Sequence, residues 1–158
     1  MTAKKNVAFD FDGVIHVDVS PTSQSGNRHP TFPRNLPAAP NKFKTIIELI
    51  HKYHKHNYNV YIVTARMSYA KDMIIQTLIN YGVKHIIPDH HLYFTGDLNG
   101  QDGDKVSTLE QLNIRDFYDD SIYHFVSIYN AKKNNQLRNL KNCYLTKPEV
   151  EQIVRLDI

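Results

Sequence analysis

Short apolar runs that end in acidic or hydroxyl residues, set apart by amphipathic stretches of helix length, constrain this chain more than any other feature. Val7-Ala8-Phe9 runs into Asp10-Phe11-Asp12-Gly13, Val60-Tyr61-Ile62-Val63 into Thr64, and Phe117-Tyr118 into Asp119-Asp120. Such runs suit strands buried on both faces. The reading places strands at Asn6 to Val14, Asn59 to Thr64, His91 to Thr95, Arg115 to Tyr118 and Cys143 to Leu145. Between them lie helices. One starts at an N-cap Asn41, presents Phe43, Ile46, Ile47, Leu49 and Ile50, and ends near Asn57; another runs from Ser68 to a stop at Gly82 with Met73, Ile74, Leu78 and Ile79 inward. Further helices carry Val106, Leu109 and Leu112, span Ser121 to Leu140, and start near Pro148. Alternating strands and helices imply a parallel sheet built through right-handed crossovers, with helices on both faces.

That architecture predicts where a ligand goes. In open α/β sheets it binds beyond the carboxyl ends of the strands, which gathers Asp10, Asp12, Thr64, Asp119 and Asp120 in one crevice. With 158 residues, one compact domain over 1–158 is expected. Residues 16–40 lose periodicity and fill with Pro, Ser, Thr, Asn and Gly, which marks an irregular loop insertion. No apolar run reaches membrane length and no signal-peptide core follows the N-terminus, so the expectation is an intracellular, cytoplasmic protein with no membrane partner. The lone Cys143, within an apolar stretch, reads as a buried structural thiol. A net charge of +3 permits a polyanionic partner without demanding one.

Asp10 and Asp12, two residues apart, share a side while the chain is extended, and Gly13 then lets the backbone turn away. Adding Asp119 and Asp120 crowds carboxylates that resist ionising together. A cation is therefore expected, and an all-oxygen donor set favours Mg²⁺, with Lys105 supplying further positive charge. The groups suit phosphoryl transfer. Asp10 fits the nucleophile, Asp12 the acid and then base, Thr64 a hydrogen-bond donor to phosphate, and Lys105 the charge balance.

Taken in order, Asp10-Phe11-Asp12-Gly13, Thr64, Lys105 and Asp119-Asp120 resemble the four motifs of haloacid dehalogenase-like hydrolases, over roughly residues 6–121. The resemblance implies a three-layer α/β/α, Rossmann-like fold with a five-stranded parallel sheet ordered 5-4-1-2-3. It implies magnesium held by Asp10, the backbone carbonyl of Asp12, and Asp119, with Asp120 in support. It also implies a phosphomonoester hydrolase working through an aspartyl-phosphate. Residues 16–40 fall where the family places a substrate-gating flap, which makes His16 and Arg28 candidates for substrate contact. Ala65 and Arg66, next to Thr64, join Thr64 and Lys105 on the same list, with a solvated first-turn arginine as the bland reading of Arg66.

No gap is long enough for a cap domain, so the crevice should admit large substrates. The motifs are also similar to those of polynucleotide kinase-phosphatase phosphatase domains, and a nucleic-acid 3′-phosphate end or a nucleotide is one expected substrate. A small metabolite or a phosphoprotein, with an oligomer not indicated by the sequence, is the alternative. A receiver-like phosphate- or magnesium-binding module without turnover is the rival of a different class. His16, His29, His90 and His91 share no metal-ligand spacing, the acidic loop before Lys105 is out of register for a calcium loop, and Lys132, Lys133, Arg138 and Lys141 read as a solvated face.

Overall fold

The computed structural model describes residues 3–17, 42–97 and 105–158. Arg28, the N-cap Asn41 and most of the 16–40 insertion lie outside them. The strands are β1 (Asn6–Phe9), β2 (Asn59–Thr64), β3 (Leu92–Phe94), β4 (Asp116–Asp119), β5 (Asn142–Lys147) and β6 (Gln152–Leu156). The helices are α1 (Lys44–Lys55), α2 (Lys71–Asn80), α3 (Lys105–Gln111) and α4 (Ile122–Lys133). No helix among the described residues is long and apolar enough to cross a membrane.

The protein is α/β with a mostly parallel sheet. It has six strands, not the five expected, in the order β3-β2-β1-β4-β5-β6. Read from the other edge this is 6-5-4-1-2-3, so the expected order is changed by a strand added outside β5. The first five are parallel to their neighbours and β6 runs antiparallel to β5, with Cys143 opposite Leu156 and Lys147 opposite Gln152. The helix expected from Pro148 is only a 3-10 turn, Pro148–Val150. Glu151 then adopts φ +52° and reverses the chain, so Ile153 and Val154 pair along the backbone edge of β5.

Alternation along the central strands divides the interior into two clusters. Val7, Phe9, Val60, Ile62 and Tyr118 join Ile46, Ile50, Ile74 and Leu78 of α1 and α2. Ala8, Val63, Phe117 and Cys143 join Leu109, Phe125 and Ile128 of α3 and α4. Period-2 side chains cannot do otherwise in strands covered on both sides. Cys143 is buried as expected, and burial pushes its thiol up to about 11.

Two helix boundaries differ from the sequence reading. The second begins with a 3-10 turn, Ser68–Ala70, and its inward set is Ile74, Thr77 and Leu78, leaving Ile79 52% exposed. Thr77 takes an inward place because its hydroxyl donates to the Met73 carbonyl at 2.9 Å. The helix expected to reach Leu140 stops at Lys133, since Asn135 and Leu137 adopt positive φ. The Leu137 amide there donates to Glu110 Oε1 at 3.1 Å, a partner from α3 that local sequence does not announce.

The phase of α2 can be checked directly. Ile74→Ala should cost about 2–5 kcal/mol, the range for emptying a core site, and Ile79→Ala within about 0.5 kcal/mol of wild type, both read as urea midpoints. Equal costs would mean that α2 is rotated.

Candidate functional site

Strand β1 stops at Phe9, earlier than its apolar pattern suggested. The Asp10 amide still donates to the Tyr118 carbonyl of β4 at 2.9 Å, but the amides of Ile15 and His16 both turn back to the Phe11 carbonyl at 3.0 Å. The Phe11 amide in turn donates to Asp10 Oδ1 at 2.8 Å. Asp10 and Asp12 therefore do not share one face of an extended strand. Gly13, at φ +78°, closes this turn, and a Cβ there would lie 2.0 Å from Asp120 Oδ2. Only glycine permits that approach. The Thr146 hydroxyl of β5 donates to the Gly13 carbonyl at 2.9 Å and ties the turn to the sheet.

Asp10, Asp119 and Asp120 converge, with one ligand atom from each lying within 4.8 Å of the others. Lys105, at the start of α3 and 3% exposed, places Nζ 2.8 Å from Asp119 Oδ2 and 3.3 Å from Asp10 Oδ1. Asp119 is fully buried and well supplied with donors. The Ser121 amide donates to its Oδ1 at 2.9 Å, and His124 Nδ1, in the first turn of α4, donates to Oδ2 at 2.7 Å.

These surroundings separate two carboxylates that a sequence treats alike. Burial raises the Asp10 carboxyl, and repulsion from Asp119, Asp120 and Asp12 adds to it; Lys105 opposes without prevailing, so the group stands well above the usual carboxylate range. Burial also raises Asp119, but Lys105 and His124 outweigh it and hold the group well below that range. Burial would lower the Lys105 ammonium, yet Asp10 and Asp119 together raise it, so the lysine remains a cation.

Asp12 faces elsewhere. Its carboxylate, 36% exposed, accepts Arg66 Nε at Oδ2 (2.7 Å) and Arg66 Nη2 at Oδ1 (3.0 Å), a bidentate pair. Arg66 is buried, so it is not the solvated arginine of the bland reading. Its amide donates to Thr64 Oγ1 at 3.2 Å, at the end of β2. The Ala65 and Arg66 backbone leaves no room for a Cβ at Gly96, whose amide donates to the Arg66 carbonyl at 3.2 Å. The turn carrying Thr64, Ala65 and Arg66 is thus fixed against the end of β3.

The structure accordingly brings together Asp10, Lys105, Asp119 and Asp120, with Asp12 joined to Arg66 beside them. His16 is placed differently. It is 3% exposed, stacked on Phe11 at 5.8 Å, and hydrogen-bonded through Nδ1 to the Tyr81 hydroxyl at 2.9 Å. That is a packed position under the turn rather than a place on a substrate-facing flap. Arg28 lies outside the described residues. His124 was not among the residues that the sequence singled out. Its position in the first turn of a helix after an acidic strand end was the available signal.

No family model matches the chain. It is 37% identical over 149 residues to an uncharacterized protein of Acanthamoeba polyphaga mimivirus, an alignment that covers 94% of this chain and 28% of the viral protein. The chain therefore spans about 28% of the length of that relative.

Oxygen donors, close carboxylates and one lysine set the charge of the site. Asp10, Asp119 and Asp120 carry more negative charge, when ionised, than Lys105 offsets, and this repulsion adds to the burial that raises the Asp10 carboxyl. The three carboxylates could hold a metal cation. Lys105→Met should cost about 3–5 kcal/mol at neutral pH, because it strands buried carboxylates without their counter-charge. Guanidinium unfolding of the variant measures this, and a cost below about 1 kcal/mol, typical of exposed pairs, would deny Lys105 that role.

Proposed function

We propose that this chain is a magnesium-dependent phosphomonoester hydrolase of the haloacid dehalogenase-like kind, acting through an aspartyl-phosphate on Asp10. The observation that carries the reading is the Lys105 ammonium set between Asp10 and Asp119 within the three-carboxylate cluster. We read the sheet with its two flanking helix pairs as the three-layer, Rossmann-like frame of that superfamily. Asp10, Asp119, Asp120 and the Asp12 backbone carbonyl would hold the magnesium, which neutralises charge on the transferring phosphoryl group.

The chain's own residues account for the remaining steps. Asp10 attacks phosphorus, the bond to the leaving oxygen breaks, and Asp12, protonated once the phosphate has drawn Arg66 away from it, delivers that proton to the leaving oxygen. Water then attacks the aspartyl-phosphate, giving its proton to Asp12, and inorganic phosphate departs. The roles divide because the surroundings divide: Asp10 lies against Lys105, and Asp12 is directed by Arg66 at the mouth of the crevice. A phosphate dianion reaching Arg66 competes with Asp12 for the same N–H groups. Thr64 and Lys105 are left to meet equatorial phosphate oxygens. A phosphorylated nucleic-acid 3′ end or a nucleotide is the substrate class that fits an uncapped, mildly basic chain.

Asp10→Asn should abolish turnover of every phosphomonoester. Asp12→Asn should lose on the order of a hundredfold to ten-thousandfold with an alkyl phosphate, yet give a burst and then slow turnover with an activated aryl phosphate. Single-turnover measurements with both leaving groups decide it. Equal losses in a folded Asp12 variant would remove Asp12 as general acid, and undiminished wild-type turnover in excess chelator would remove the metal.

A further inference from the structure

A concave site lies away from the carboxylates. A cavity of about 640 Å³ is bounded by the residues leading into β1, one side of α1, the α1–β2 connection, Tyr118 of β4 and Tyr144 of β5. This volume is that of a small-molecule site. Lys4 and Lys5 precede β1 and Asp10 follows it, so the lysine end of the cavity stands roughly 16 Å from Asp10, five residues of extended chain.

Two features of the wall specify what it can hold. Lys4, Lys5 and Lys52 all border it, no carboxylate does, and none of the three lysines forms an ion pair among the described residues. The buried Asp116 acts electrostatically on Tyr53, Tyr118 and Tyr144, so the positive potential suited to an anion belongs to the lysine end of the concavity. Tyrosines supply the rest. Tyr118 stacks on Tyr144 at 4.5 Å with planes 14° apart, and continues to Phe9 at 4.7 Å, an aromatic ladder across three strands. Tyr53 bonds Tyr118 hydroxyl to hydroxyl at 2.8 Å and packs edge-on against Tyr58. Tyr58 and Tyr144, both half-buried, keep hydroxyls without a hydrogen-bond partner among the described residues.

We propose that this cavity binds a phosphorylated planar ring of nucleoside-monophosphate size, with its phosphate on Lys4, Lys5 and Lys52 and its ring against Tyr58 and Tyr144. Lysines recognise the phosphate as point charges. Tyrosine faces and hydroxyls offer stacking and hydrogen bonds to a heteroaromatic ring. The site is separate from the carboxylate cluster and does not depend on the hydrolase reading.

The test is calorimetric titration of the wild-type chain with adenosine 5′-monophosphate in excess chelator, with adenosine and inorganic phosphate as comparators. One saturable site is expected, with each comparator weaker by about tenfold or more. Lys52→Glu and Tyr144→Ala should each weaken binding by about tenfold or more with unchanged circular dichroism, and added salt should weaken it in the wild type. Asp10→Asn should bind as the wild type does. Three results overturn the proposal: no saturation up to roughly 10 mM, inorganic phosphate binding as tightly as the nucleotide, or Lys52→Glu binding unchanged. Tighter binding to Asp10→Asn overturns it too, since relief of anionic repulsion would place the ligand at the carboxylate cluster. Lys52 is exposed on α1, so Lys52→Glu decides the matter even if Tyr144→Ala fails to fold.

Discussion

The ammonium of Lys105 is shared between two carboxylates inside the protein, and much of the structure exists to make that sharing tolerable. An isolated buried charge is costly, and a pair is retained only where further hydrogen bonds satisfy what is left. Asp119 obtains those bonds from the Ser121 amide and from His124, both at the start of α4. Asp10 obtains one from the Phe11 amide. Its position follows from the turn that Gly13 permits and Thr146 holds.

From this arrangement comes an asymmetry between groups of identical chemistry. Asp119 is buried with donors on both oxygens and remains ionised, whereas Asp10 is buried among acids and resists ionisation. Asp12 is directed elsewhere, paired with Arg66. Asp10 and Asp119 thus differ in charge preference, and Asp12 in direction, through their neighbours alone. Such divergence is the usual physical basis for distinct roles in one site.

The sheet explains why these groups meet. Parallel strands deliver their carboxyl ends to one edge, and β1 lies between β2 and β4, so Asp10, Thr64 and Asp119 arrive from adjacent strands. The same face that α1 and α2 cover over β1 to β3 continues onto β4 and β5, where Tyr118 and Tyr144 extend the stack begun by Phe9. Beyond β5, the added strand β6 extends the sheet past the expected five.

The order of elements, the buried central strands and the acidic strand ends were legible because each depends on short-range pattern: period-2 burial, helical spacing, a glycine after Asp12. What the pattern left open was decided by contacts between residues far apart in the chain. Arg66 lies 54 residues from Asp12, and nothing local distinguishes a guanidinium that pairs from one that is solvated. The α4 end depends on Glu110 of α3, and the C-terminal segment became β6 rather than a helix because β5 offered a backbone edge. The exposed Ile79 was misread because Thr77, a polar residue, can face inward by bonding its own helix. Sequence alone determined which residues reach the carboxyl end of the sheet, since strand direction carries them there. Only the tertiary structure decided which of them share a lysine and which pairs with an arginine, since desolvation and Coulomb forces depend on distances that the chain sets when it folds.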